Sequence, residues 1–316
     1  MNDMQNNELK PLMVSINCLA YNHGKFIRET LEGFVMQKTN FRFEAIVHDD
    51  ASTDNTAEII REYAEKYPDI IKPIYENENQ YSKKDGSLIR IMHEACKGKY
   101  IAICEGDDYW TDPFKLQKQV DFLETHTDYV ICSHNFRCYI QQSDSFESWL
   151  TCGDTVYDWD AFISRENWLT QPLTCLYRSS AFNLDEYLQY KNSKDVTLFY
   201  YLLKKGKGMY FKDYMGVYRI HNGGVWSGAS GTEQLYAELL TLKGIYDVER
   251  SYDSARALHY CIIKSCDKFD RAFIMSNKFF LFGIWCILFR YFGFSSIKLI
   301  IHICHLKKKI LFWKNK

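Results

Sequence analysis

The stretch Lys99-Tyr-Ile-Ala-Ile-Cys-Glu-Gly-Asp-Asp-Tyr-Trp-Thr-Asp-Pro113 places the tightest limit on what this chain can become. Its apolar run, 100–104, has the length and bulk of a buried strand. The run stops in Glu105-Gly106-Asp107-Asp108, and Pro113 opens a helix soon after. A buried strand that delivers several carboxylates beside a glycine at its carboxyl end suits the grip of a divalent cation, which prefers oxygen ligands. A solvated acidic turn that caps the following helix is the alternative, and this stretch alone does not choose between them.

The flanking sequence supplies the architecture. Apolar runs at 12–20, 43–48, 70–75 and 129–133 predict further strands. Between them lie helical patterns: 23–38, with Ile27, Leu31, Phe34 and Val35 on one face; a helix ending near Tyr67, just before Pro68; a third through Leu88, Met92 and Ala95; and a fourth through Leu116, Val120 and Leu123. Asn55 with Glu58 three residues later resembles a capping box for the second of these. Strands alternating with helices at this rhythm predict a mostly parallel α/β sheet, doubly wound, with ligands bound beyond the strands' carboxyl ends. Asp49-Asp50 and the 105–108 cluster then face one crevice. A carboxylate at such a strand end can accept from a uracil N–H or from ribose hydroxyls. It can also simply favour the dipole of the next helix, by about 0.3–1 kcal/mol. From 134 to 194 the rhythm loosens. A helix is expected at 194–205, a strand at 209–218, and helix again from Glu233.

Net charge is −1, so nothing calls for a nucleic-acid partner. The asymmetry lies at the end of the chain. After Asp270 there is no acidic residue, while Arg271, Lys278, Arg290, Lys298, Lys307, Lys308, Lys309, Lys314 and Lys316 are basic. The apolar stretch 279–288 is shorter than the roughly 20 residues of a spanning helix. With 297–303 and the basic end it suggests a helix lying on an anionic membrane surface, or a helical pair packed on the main domain. Eleven cysteines occur without CxxC or zinc-like spacing, and residues 1–10 lack the apolar core of a signal peptide. Reduced thiols in a cytoplasmic protein, peripheral at the inner face of the membrane, are therefore expected.

Val14-Ser-Ile-Asn-Cys-Leu-Ala-Tyr-Asn22, Ile46-Val-His-Asp-Asp-Ala-Ser-Thr-Asp-Asn-Thr56 and Gly98-Lys-Tyr-Ile-Ala-Ile-Cys-Glu-Gly-Asp-Asp-Tyr-Trp110 resemble, in order and spacing, the three signatures of family 2 glycosyltransferases. The resemblance covers 11–135 strongly and 170–226 more weakly. It implies a GT-A fold, a nucleoside-diphospho-sugar donor with UDP favoured, a divalent cation (Mn or Mg) and inversion at the anomeric carbon. By matching position Asp50 contacts the base with Asp49 adjacent, while Leu19, Ala20 and Tyr21 line the nucleotide pocket. Asp107 and Asp108 correspond to the metal motif, Asp107 also reaching the nucleotide. Glu105 stands where the commoner D-x-D-D form has aspartate, a departure that leaves its ligation open.

The same resemblance implies a general base from an acidic residue at a later helix start. Ser193-Lys194-Asp195 fits, so Asp195 is the expected base, with a simple cap as the alternative. Asp185 and Glu186 are the fallbacks. Tyr218-Arg219-Ile220-His221, followed by Gly223-Gly224, is similar to a segment of bacterial members. It implies Arg219 on the diphosphate, His221 on metal or phosphate and a mobile glycine loop; a structural histidine is the alternative. Trp226 stacks on a sugar or packs in the core. The expected organisation is a flexible 1–10, a catalytic domain at 11–230 (nucleotide half 11–135, acceptor half 136–230) and a helical extension at 231–316. The acceptor would be a hydroxyl of a glycan or lipid-linked saccharide in surface polysaccharide synthesis. A nucleotidyltransferase would need a glycine-rich basic loop after the first strand, and 19–25 holds one glycine and no basic cluster. A non-catalytic nucleotide-sugar-binding module would leave Asp195 idle.

Overall fold

A computed structural model describes residues 10–148, 152–164, 169–224, 226–251, 254, 255, 257 and 258. The chain divides into two compact units between Ser227 and Gly228. The first is built on one mixed sheet flanked by helices. Strands β1 (Leu12–Ala20), β2 (Arg42–Asp49), β3 (Ile71–Tyr75) and β4 (Tyr100–Ile103) run parallel in the spatial order β3-β2-β1-β4. Their register places Ala20 opposite Asp49 and Asn17 opposite Ile103. The carboxyl ends of β1, β2 and β4 therefore reach one edge of the sheet, and both acidic clusters arrive there together.

Helices α1 (Ile27–Val35), α2 (Thr56–Lys66), α3 (Ser87–Ala95) and α4 (Lys115–Thr125) supply the crossovers. Ile27, Leu31 and Phe34 of α1 are fully buried, as are Val14, Ile16 and Cys18 of β1 and Leu116 and Leu123 of α4. Each such aliphatic or aromatic side chain contributes about 1.5–3 kcal/mol, so the pattern read at 3.6 and 2 residues is what drives the layers together. α1 is shorter than its apolar pattern, because residues 23–26 enter it through a turn in which Phe26 and Ile27 both donate to the His23 carbonyl. The Asn55–Glu58 capping box does not form. Asn55 makes no side-chain cap bond, and Asp54 Oδ1 instead accepts from the Thr56 amide at 3.0 Å. The helix start is thus fastened at its first amide, Thr56, by an aspartate one residue before Asn55.

Beyond β4 the sheet continues with β9 (Leu176–Arg178), β6 (Tyr129–Ile140), β10 (Lys207–Ile220) and β5 (Tyr109–Trp110). β6 and β10 are parallel, whereas β9 and β5 pair antiparallel with their neighbours. β7 (Ser145–Ser148) lies on β6 and β8 (Thr155–Tyr157) on β10. The loosened rhythm of 134–194 thus corresponds to short antiparallel additions. β5 matters most: the chain leaves central β4, passes through the acidic residues and pairs at once with β10 at the far end of the sheet. The acidic turn is a bridge across the sheet's carboxyl edge.

The first unit also carries short helices α5 (Trp159–Ser164) and α6 (Leu184–Tyr187), and the buried α7 (Asp195–Leu203). In the second, α8 (Gly231–Glu249) starts two residues before the expected Glu233. A capping box sets that start: Ser230 Oγ accepts from the Glu233 amide and Glu233 Oε2 accepts from the Ser230 amide. Among the described residues the seven cysteines are free thiols, five of them buried. No described helix is long and apolar enough to cross a membrane. The expected flexible start (except Lys10) and the apolar and basic tail from 271 onward lie outside the described residues.

Candidate active site

Carboxylate oxygens of Glu105, Asp107 and Asp108 all lie within 4.8 Å of one another. The backbone brings them together because Gly106 has no side chain. A Cβ there would stand 2.8 Å from His23 Nδ1 and 3.0 Å from the Ala20 Cβ. The Gly106 amide donates to the Leu19 carbonyl at 2.8 Å, tying the turn to the end of β1. From α1, Thr30 Oγ1 donates to the carbonyls of Asp108 (2.6 Å) and Gly106 (3.0 Å). From β10, the Arg219 amide donates to Asp108 Oδ1 at 2.8 Å.

The electrostatics of the cluster follow from this crowding. Glu105 opens to solvent, yet loss of bulk water around it and the charges of Asp107 and Asp195 push its carboxyl up to about 8. Burial, then Asp107, raises Asp108 well above the carboxylate range, only partly offset by the Arg219 amide. Burial would also raise Asp107, but the His221 hydrogen bond and the His23 and His221 charges outweigh it and hold Asp107 low. Three carboxylates this close cannot all ionise without added positive charge. Hard oxygen donors in this number fit Mg or Mn, which would supply that charge.

His221 Nε2 is hydrogen-bonded to Asp107 Oδ2 at 3.1 Å, and His23 Nε2 lies 3.8 Å from the same oxygen. The fold therefore brings His221 to the cluster through Asp107. Arg219 turns inward. Its Nε donates to the Asp107 carbonyl at 2.8 Å, its fork reaches Glu29, and its guanidinium carbon sits 4.9 Å from the Phe26 ring and 5.0 Å from the Tyr109 ring. Sequence reasoning missed His23, Glu29 and Thr30, all within ten residues of β1. The signal available was the polar run Tyr21-Asn22-His23-Gly24 leaving a buried strand at the sheet edge.

On the nucleotide side the two aspartates at the end of β2 differ. Asp50 Oδ1 accepts from the Gln80 amide (2.6 Å) and Oδ2 from the Tyr81 amide (3.0 Å), while its own amide donates to the Ala20 carbonyl. It fastens the loop after β3 to the sheet edge. Asp49 is equally buried, but only Oδ2 is engaged, by the Ser52 amide at 3.3 Å; Oδ1 has no partner among the described residues. The turn that follows them requires left-handed backbone at Ala51, and Asn22, whose Oδ1 accepts from the Thr53 amide, is left-handed too. The carbonyls of Leu19 and Ala20 are both used inside the fold, whereas the Tyr21 ring is exposed.

Asp195 is the first residue of α7; the cap position belongs to Lys194. Asp195 Oδ1 accepts from the Val196 amide at 2.9 Å, and burial raises the carboxyl. Its charge acts on both Glu105 and Tyr81. Of the fallbacks, Asp185 is exposed and Glu186 is committed to Tyr201 and Lys205. Exposed Trp226 has the Lys194 ammonium 5.7 Å from its ring centre.

The mixed sheet with a carboxylate cluster at its carboxyl edge is of the GT-A type. Residues 15–188, more than half of the chain, match the model of glycosyl transferase family 2, and the chain belongs to that family. The uncharacterized protein Rv1520 of Mycobacterium tuberculosis is 46% identical over 127 residues, 39% of this chain. That match spans only 35% of Rv1520, about a third of the relative's length. WfaP of Escherichia coli, a UDP-Glc:alpha-D-GlcNAc-diphosphoundecaprenol beta-1,3-glucosyltransferase, is 28% identical over 234 residues, covering 74% of this chain and 86% of WfaP. Among solved structures, S. aureus TarS 1-349 in complex with UDP-GlcNAc superposes with a TM-score of 0.61 at 18% identity, over 84% of this chain and 75% of TarS, a likeness of fold.

Proposed function

We infer that this chain is a metal-dependent, inverting glycosyltransferase that moves a sugar from a nucleoside-diphosphate donor to a hydroxyl of a glycan or lipid-linked acceptor. The observation that carries the reading is the convergence of Glu105, Asp107 and Asp108 within 4.8 Å. Asp107 and Asp108 would hold Mn or Mg, which supplies charge neutralisation to the departing diphosphate. Asp195 takes the proton of the acceptor hydroxyl. That oxygen then bonds to the anomeric carbon as the bond to the diphosphate oxygen breaks, and the electron pair leaves with the diphosphate. A raised carboxyl is the stronger base for this proton. Asp49 Oδ1, buried and lacking a partner among the described residues, calls for an N–H donor. Uracil N3–H is one such donor, and guanine N1–H is another. The UDP-Glc in the name of WfaP and the UDP-GlcNAc bound to TarS favour a UDP-sugar.

WfaP's lipid-diphosphate acceptor and the basic tail beyond 271 together support a lipid-linked acceptor in surface polysaccharide synthesis, met at the inner face of the membrane. In this reading 11–230 is the catalytic domain and 231–316 the extension that meets the surface. The test is a thermal-shift series with nucleotide sugars, with and without Mn. Stabilisation that requires both a UDP-sugar and metal, and that is lost in Asp108→Asn, is expected. Absence of stabilisation by every nucleotide sugar refutes the reading. A non-catalytic module would bind equally well, but Asp195→Asn would then leave any transfer or donor hydrolysis unchanged.

A further inference from the structure

Lys115 is the first residue of α4, at the position where the proline-led turn enters the helix, yet it is fully buried. Its ammonium donates to Gln119 Oε1 at 2.7 Å and lies 3.9 Å from the centre of the Trp110 ring. Gln119 is anchored in turn, its Nε2 donating to the carbonyls of Thr174 (2.9 Å) and Cys132 (3.3 Å). Among the described residues no carboxylate lies within 4.0 Å of the ammonium. A buried charge with a neutral acceptor and a ring face is a costly way to fill a core, and a methionine of the same length would fill it without desolvation. Lysine at a helix start can also reach water easily. Packing alone therefore does not account for this side chain.

What the ammonium touches is the strand that closes the acidic bridge. Trp110 stands two residues after Asp108, and its indole N–H donates to the Leu173 carbonyl at 2.8 Å. Phe34 packs on its ring, with centroids 5.0 Å apart, and a Cβ on Gly33 would come within 2.9 Å of its amide nitrogen, so α1 lies directly on its backbone. β5 pairs Tyr109 with Val217 and Trp110 with Gly216. That pairing brings the Arg219 amide to Asp108 Oδ1, two residues further along β10. The bridge is thus held by α1 from one side, by β10 along its edge and by the Lys115 ammonium against the Trp110 ring.

We propose that Lys115 is a positioning residue for the cation site: its buried ammonium, seated on Trp110, holds the β5 crossing and with it Asp108 at the spacing a divalent cation needs. This rests on the function proposed above. A cation–π contact out of water is stronger than one at the surface. It also pins a planar ring in one orientation, which a flexible methionine does not. Residues that orient metal ligands without touching the metal commonly change affinity 10–100-fold when replaced.

The experiment is a Mn titration of the full chain in the presence of UDP, read by the loss of the free-Mn paramagnetic resonance signal, with melting temperature measured on the same samples. Lys115→Met is expected to weaken Mn binding about tenfold while its melting temperature stays level or rises. Lys115→Gln, which removes the charge by a second route, is expected to weaken Mn binding similarly. A lysine that merely packs would leave the Mn affinity of the folded protein unchanged in both variants, whichever way the melting temperature moves; that result overturns the inference. Failure of both variants to fold also overturns it, since the lysine would then serve folding and not position. If the wild-type protein itself binds no Mn with UDP, the proposed function fails first.

Discussion

Arg219→Lys separates two roles for a cation at the acidic edge. If the side chain is a brace, as its contacts place it, lysine keeps the charge but loses the fork. Gone are the Nε hydrogen bond to the Asp107 carbonyl and the guanidinium's contacts with the Phe26 and Tyr109 rings. A hydrogen bond involving a charged group contributes about 1.5–3 kcal/mol, and the ring contacts about 1 kcal/mol. The pair with Glu29 adds little, because the Glu29 side chain is 59% exposed and such pairs contribute about 0–1 kcal/mol. The loss is therefore about 2–4 kcal/mol, or roughly 5–15 °C in melting temperature for a domain of this size. Glu29→Gln should cost under about 1 kcal/mol. The backbone bond from Arg219 to Asp108 survives either change. Thermal or urea unfolding of the metal-free protein measures these effects, with UDP binding in the absence of metal as the second readout. If Arg219→Lys leaves the metal-free protein as stable as wild type but weakens UDP binding tenfold or more, the guanidinium belongs to the diphosphate and the brace argument is refuted.

Gly106→Ala should cost about 1–3 kcal/mol and weaken Mn–UDP binding, because its new Cβ meets His23 Nδ1 at 2.8 Å and Ile27 Cδ1 at 3.0 Å; a variant with wild-type melting and binding would show that the turn has room. Burial lowers Lys115 from 10.5 to about 8. Between those pH values the unfolded chain binds more protons than the fold, so this group makes stability rise with pH, by about 3 kcal/mol in all. The buried thiols facing it, Cys104, Cys132 and Cys175, are raised by burial and act in the opposite direction, while burial keeps His134 neutral throughout. The quantity to measure is the difference in unfolding free energy between wild type and Lys115→Met in urea. It should shift towards wild type from pH 8 to 10.5, and a flat difference would refute the buried-ammonium assignment.

The parallel half of the sheet was legible because each of its strands is a local signal: an apolar run that ends in turn or acidic residues, followed by a helical period. Strand direction alone assigns the two acidic clusters to one edge, since it sends both to the same side. What the sequence did not disclose is the bridge. β5 is two residues long, Tyr109-Trp110, and lies between Asp108 and Thr111, so it has no period to read. Its existence depends on β10, 106 residues later, and on a glycine at 216 that accepts a close neighbour: a Cβ there would stand 2.9 Å from the Leu173 side chain. Once β5 pairs with β10, Arg219 and His221 must fall on the acidic turn. Asp107 then gains an imidazole partner and Asp108 a backbone donor. The same long-range pairing decides what Arg219 can do. Read as one residue of a basic-polar motif, it points to a phosphate; placed by β10 against Phe26, Tyr109 and the Asp107 carbonyl, its Nε braces the turn. Asp49 and Asp50 divide in the same way. Adjacent and chemically identical in sequence, they differ because the loop after β3 takes both oxygens of Asp50, while Asp49 Oδ1 has no partner among the described residues. Residue type told which groups carry the charge at this edge, and tertiary hydrogen bonding tells which of them are still available.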